Sequence, residues 1–183
     1  YGGYCYMFQG CTLLTKAPKL PAYHVGFHNA YYNSGGGYSC MFSGCTSLVE
    51  APDLPATELE DYCYASMFAD CTSLKKIPSS LPATELGDHC YASMFAGCTS
   101  LEYVPIDFLP ATIVGEYCYA GMFEGCTSLN YIKCNAEINI NVNQTTTDWL
   151  KNVSPTGNFY KNANVNWPEG RSGVPLGWTV IDA

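Results

Sequence analysis

The apolar positions of the first 134 residues recur in blocks. Five Met-Phe pairs, Met7-Phe8, Met41-Phe42, Met67-Phe68, Met94-Phe95 and Met122-Phe123, follow one another at steps of 34, 26, 27 and 28 residues. Three places after each Phe stands a cysteine (Cys11, Cys45, Cys71, Cys98, Cys126), and three further on a leucine (Leu14, Leu48, Leu74, Leu101, Leu129). Three beyond that comes Ala17, Ala51, Ile77, Val104 or Ile132. "PKLPA", "PDLPAT", "PSSLPAT" and "PIDFLPAT" then close four of the units. The long first step contains an insertion at 23–37, "YHVGFHNAYYNSGGG". A unit of this size cannot bury its apolar side alone, whereas stacked copies bury it as continuous ladders.

Each unit predicts a short helical turn at "ASMFADC", a bend at "TS" and a short strand around "LKKI", which the prolines break before the next turn. Phe68 and Cys71, at i,i+3, share one face of such a turn, and Leu74 and Ile77 point inward from the strand. The expected fold is an α/β-type repeat solenoid of about five units over residues 1–134. Its core columns are Phe68, Cys71, Leu74, Phe95, Cys98, Leu101, Phe123, Cys126 and Leu129. After Ile132 the pattern changes. "IKCNAEININ" alternates as a longer half-buried strand, "TTTDWLKNV" offers Thr caps before a short helix, and "GNFYKN" and "GWTVID" read as two more strands. Residues 135–183 are therefore expected to form a small β-rich cap plugged by Trp149, Phe159, Trp167 and Trp178. The alternative for this segment is a carbohydrate-binding module using Trp167 and Trp178.

The repeated Phe-x-x-Cys-x-x-Leu-x-x-Ile-Pro residues resemble the BspA-like leucine-rich repeats of bacterial surface proteins. Phe68, Cys71, Leu74, Ile77 and Pro78 match that unit, as do Phe95, Cys98, Leu101, Val104 and Pro105. Cys63, Cys90 and Cys118 fall where that family has its first Ile, Met replaces its Ala before Phe, and the units here are longer through "LPATELEDY". The resemblance implies a leucine-rich-repeat stack, a place outside the cell or on the surface of an anaerobic bacterium, and adhesion or ligand capture. The stretch from Trp149 to Val180 also resembles a tail that follows such repeats in surface proteins of gut anaerobes.

Charge narrows the partners. Charged residues make up 13% of the chain, and the net charge is −8 with a pI of about 4.6. That balance argues against nucleic acid and anionic lipid as partners. No apolar run approaches the roughly 18 residues of a membrane helix, so no membrane insertion is expected. Tyr1 falls inside a repeat. The natural chain is thus expected to begin further upstream, and the lack of a signal peptide says nothing about export.

The eleven cysteines are an odd number, and the upstream ones are out of register: Cys5 lies three before its Phe and Cys40 two, against five in the later copies. The favoured reading is small apolar core thiols, with disulfides as the alternative. The spacings do not suit zinc. His24 and His28 sit in the insertion with no carboxylate ligand following, and His89 falls in an aromatic column with Tyr62 and Tyr117. Acidic residues at 58, 60, 61, 85, 88 and 116 read as a solvated linker edge. No metal, cofactor or catalytic residue is assigned.

Columns that differ between copies are free of the fold's demands. Two after each Leu stand Lys16, Glu50, Lys76, Tyr103 and Tyr131. The row Tyr38, Tyr64, Tyr91, Tyr119 is repeated faithfully and reads as packing. The candidate ligand-binding residues are Lys76, Tyr103, Tyr131 and Glu50, with Tyr31 and Tyr32 of the insertion. The expected function is a non-catalytic binding or adhesion module for a host protein or glycan. The alternative is a structural spacer or stalk within a larger surface or fibre-like assembly.

Overall fold

The computed structural model describes residues 4–22, 24–25, 36–105, 108–111, 113–134 and 144–182. Tyr31, Tyr32 and the continuation of the expected strand past Cys134 lie outside them. Eight short strands follow in chain order: β1 (His24–Val25), β2 (Glu58–Leu59), β3 (Glu85–Leu86), β4 (Tyr103–Val104), β5 (Ile113–Val114), β6 (Tyr131–Cys134), β7 (Asn158–Lys161) and β8 (Thr179–Asp182).

The Met-Phe segments are chains of β-turns. Between Tyr62 and Cys71 alternate amides have different partners. Ala65, Met67, Ala69 and Cys71 each donate to the carbonyl three residues back. Tyr62, Tyr64, Ser66, Phe68 and Asp70 donate instead to Asp88, Cys90, Ala92, Met94 and Ala96 of the next unit. An α-helix would direct all of these amides to carbonyls four residues back. Among the described residues there is no helix. The helical turns expected at "ASMFADC" and after "TTT" are corrected accordingly, and the leucine-rich-repeat class falls with them. The physical reason is the backbone. It enters the left-handed region every fourth residue, with φ of 58° at Tyr62, 53° at Ser66 and 59° at Asp70. A type II turn requires positive φ at its third position, whereas a right-handed helix excludes it. The column before the ladder cysteine, Gly10, Gly44, Asp70, Gly97 and Gly125, supplies residues suited to that conformation.

Each unit can contribute two strand segments, so the strands fall into two parallel four-stranded sheets, ordered β1-β2-β3-β5 and β4-β6-β7-β8. The first is made from the linker. Its acids do face solvent, since Glu58 and Glu85 are exposed, but Leu59 and Leu86 beside them are buried. The linker is thus a half-buried strand as well as a polar edge. In the second sheet Tyr103, Tyr131, Asn158 and Thr179 stand in register, and Val104, Ile132, Phe159 and Val180 form the neighbouring row.

The core is a set of ladders between units. Phe8, Phe42, Phe68, Phe95 and Phe123 stack with centroids 5.4 to 5.7 Å apart. Tyr38, Tyr64, Tyr91 and Tyr119 do the same at 5.8 to 5.9 Å. The nine expected core residues, from Phe68 to Leu129, are all fully buried.

The register continues past the boundary at 134. Tyr119, Gly121, Phe123 and Gly125 donate to Thr145, Thr147, Trp149 and Lys151, and φ is again positive every fourth residue, at Gln144, Asp148 and Asn152. Trp149 takes the Phe position and stacks on Trp167 at 5.1 Å. Residues 171–173 close this run. Thr146 Oγ1 donates to the Ser172 carbonyl (2.7 Å), Trp149 Nε1 to the Gly173 carbonyl (2.8 Å), and Arg171 forks onto Asp148 (2.8 and 3.0 Å). The guanidinium holds the Asp148 carboxyl below the usual carboxylate range. "NFYK" and "TVID" are strands, as expected. Among the described residues no helix is long and apolar enough to cross a membrane.

Candidate functional site

A parallel strand sends alternate side chains to opposite faces. The inward row Val104, Ile132 and Phe159 is at most 2% exposed, so the row beside it faces out. Tyr103, with half of its surface exposed, stands beside the partly exposed Tyr131, and the Tyr131 ring lies 5.1 Å from that of Tyr160 at 39°. The repeat pattern of the first 134 residues does not reach Tyr160. Its signal is "NFYK", which aligns with "YIKC" once the register is carried past residue 134. Glu50 and Lys76 lie on neighbouring strand segments of earlier units, with Nζ 4.0 Å from Oε2 and both side chains about two-thirds exposed. The candidate residues thus form two groups, a Glu50–Lys76 pair and the Tyr103–Tyr131 row, while Tyr31 and Tyr32 lie outside the described residues.

Next to Tyr131, at the start of β7 and β8, lies an open cleft of about 480 Å³. Asn130, Ser154, Thr156, Asn158 and Thr179 line it, with Gly157 and Gly177. Its walls are fixed by backbone bonds: Asn158 donates to the Asn130 carbonyl, Thr179 to Gly157 and Ser154 to Leu129. Trp178 Nε1 donates to the Ser154 carbonyl (2.8 Å) behind it. Gly157 is needed here, because a Cβ would come within 2.6 Å of the Asn130 carbonyl and 2.7 Å of the Trp178 ring.

The tryptophans themselves offer no contact surface. Trp167 and Trp178 are 5% and 7% exposed, which overturns their reading as a carbohydrate-contacting pair. They are packed in the core, as Trp149 and Phe159 are at 0%.

Among the described residues no disulfide joins any of the eleven cysteines, and eight are buried. The thiols of Cys45, Cys71, Cys98 and Cys126 donate to the carbonyls of Phe8, Phe42, Phe68 and Phe95 one unit back, at 3.1 to 3.2 Å. Cys63, Cys90 and Cys118 donate likewise to Val25, Glu60 and Gly87, at 2.6 to 2.8 Å. Burial pushes the Cys71, Cys118 and Cys126 thiols up to about 12 and Cys98 well above its ordinary value. A nucleophilic cysteine needs the opposite shift. Among the described residues no three His, Cys, Asp or Glu side chains are grouped to hold a metal. His89 lies between Tyr62 (4.6 Å) and Tyr117 (5.0 Å) in a stacked row, as a member of that aromatic column.

Compared with known proteins, the chain matches no family model, no curated protein and no solved structure.

Proposed function

We propose that the chain is a non-catalytic binding module, displayed on or released from a bacterial cell, that presents the outward face of the second sheet to a host protein or glycan. The observation that carries this reading is the tyrosine face. Tyr103, Tyr131 and Tyr160 gather on one surface although the fold does not demand tyrosine there, since the column of Tyr103 and Tyr131 also holds Glu50 and Lys76, and Tyr160 stands in register with Lys133. Tyrosine gives a large amphipathic contact area with few rotors to immobilise. The buried thiols of Cys71, Cys98, Cys118 and Cys126, raised out of reach of thiolate chemistry, support a non-catalytic role, and the resemblance of the repeat residues to bacterial surface proteins supports the location. The test is an array of host matrix proteins, mucin glycans and polysaccharides, probed with the wild type and a Tyr103→Ala/Tyr131→Ala variant. A hit lost in the variant with an unchanged melting curve is the expected result. Silence across all classes would move the weight to a structural spacer. The regular ladders favour that second reading, since they devote most repeated residues to stacking.

A further inference from the structure

The cleft beside Tyr131 has a distinctive chemistry. Its five side chains with hydrogen-bonding groups are two amides and three hydroxyls, without a carboxylate or an ammonium. Asn130, Thr156, Asn158 and Thr179 are exposed, and among the described residues their side chains make no hydrogen bond to protein; Ser154 Oγ alone is engaged, with the Thr156 carbonyl (2.9 Å). A carboxamide places a donor and an acceptor on one planar group, and a hydroxyl can serve as either. That set matches the neighbouring hydroxyls of a sugar ring, each of which also both donates and accepts. The apolar side of a sugar needs a flat ring, and Tyr131 stands beside the cleft, next to Asn130 in the chain and in register with Asn158. Charges flank the cleft without lining it: the Glu102 carbonyl accepts from the Asn130 amide, Lys133 lies two residues beyond Tyr131, and Lys161 is paired with Asp182 at 2.6 Å. The residues that line the cleft offer a protein partner neither an apolar anchor nor a charge.

We propose that this cleft, with Tyr131 on the strand position beside it, is a subsite for one neutral pyranose residue of a glycan. This rests on the reading of the second sheet as a binding face and names its ligand class. The backbone bonds that hold the walls are independent of the lining side chains, so the site is preorganised and can be tested without dismantling it.

The experiment is titration calorimetry of the whole chain with neutral oligosaccharides (gluco-, manno- and galacto-configured) and with sialylated and sulfated ones, at low salt and at high salt. The variants are Asn158→Ala/Thr179→Val and, separately, Tyr103→Ala/Tyr131→Ala, each checked by its melting curve. The expected result is binding to a neutral sugar, unchanged by salt. It should weaken about tenfold in the Asn158/Thr179 variant, as the loss of one or two hydrogen bonds predicts. Binding confined to charged glycans, or left intact by the Asn158/Thr179 variant, overturns the subsite but leaves the binding face. A protein ligand lost only with the tyrosines, and no glycan bound, does the same. No ligand in either class overturns both.

Discussion

At the scale of single residues, the repeated cysteines resolve into thiols that donate to the carbonyl of the unit before them. Cysteine fits because it is small, apolar and still a weak donor, so it fills the column and bonds a carbonyl that a leucine would leave with one partner fewer. Two predictions follow from this chemistry. Cys11 is the exposed member of the eleven, so a thiol reagent should modify it promptly and the eight buried ones only after unfolding. With no reductant present, all eleven should titrate in denaturant; a shortfall of two would mean that a disulfide exists. The tyrosine ladder behaves differently. Tyr91 and Tyr119 are buried, and their hydroxyls have no hydrogen-bond partner among the described residues. A buried unsatisfied hydroxyl costs roughly 1–3 kcal/mol, so Tyr91→Phe and Tyr119→Phe should keep or raise the melting temperature. A fall would show that these hydroxyls have a partner.

At the scale of elements, the sequence was informative about period and misleading about conformation. Phe68 and Cys71 at i,i+3 suit one face of a helix, but they suit consecutive β-turns equally, because each turn also closes three residues on. The discriminating signal was the glycine before the cysteine, at positions 10, 44, 97 and 125, in the third position of a turn that needs positive φ. A helix would place it in its interior, where glycine is costly. The linker strands escaped notice because two residues, Glu58–Leu59 or Glu85–Leu86, are too few to show an alternation. The turn assignment has an opposed pair of tests. Gly125→Ala forces a side chain into the left-handed region at φ 75° and should cost about 1–2 kcal/mol, a fall of a few degrees in Tm. Asp70→Gly, which makes its column uniform, should hold stability or raise it. If Gly125→Ala is neutral, the turns are not built as described.

At the scale of the whole molecule, the ladders were legible through residue 132 and then lost, because Trp149 stands where Phe had stood and no Met-Phe pair marks the unit. Its place follows from distance, since it lies 26 residues after Phe123, the same step that separates Phe42 from Phe68. The outward face was only half readable for the same reason: Tyr103 and Tyr131 belong to regular units, whereas Tyr160 joins them only when the register is carried through. The stack also binds many thiols into one cooperative core, which gives it a characteristic response to alkali. An unfolded thiol ionises near pH 8.5, whereas Cys71, Cys118 and Cys126 hold their protons to about 12 and Cys98 holds its own higher still. Below pH 8.5 both states are protonated and stability is unaffected. Above it the unfolded chain releases protons that the folded chain keeps, so stability falls with rising pH by about 1.4 kcal/mol per unit for each thiol. These four together give roughly 5 kcal/mol per pH unit, enough to exhaust the ~5–15 kcal/mol of an ordinary domain within about one to three units. Urea unfolding followed from pH 7 to 11, with reductant present to prevent oxidation, should therefore show a plateau and then a steep loss, with collapse near pH 10–11. A Cys98→Ala variant should lose stability at neutral pH yet descend less steeply in alkali. Midpoints that stay level through pH 10 would mean that the thiols are solvated or already bonded, and the carbonyl-capping ladder would have to be abandoned.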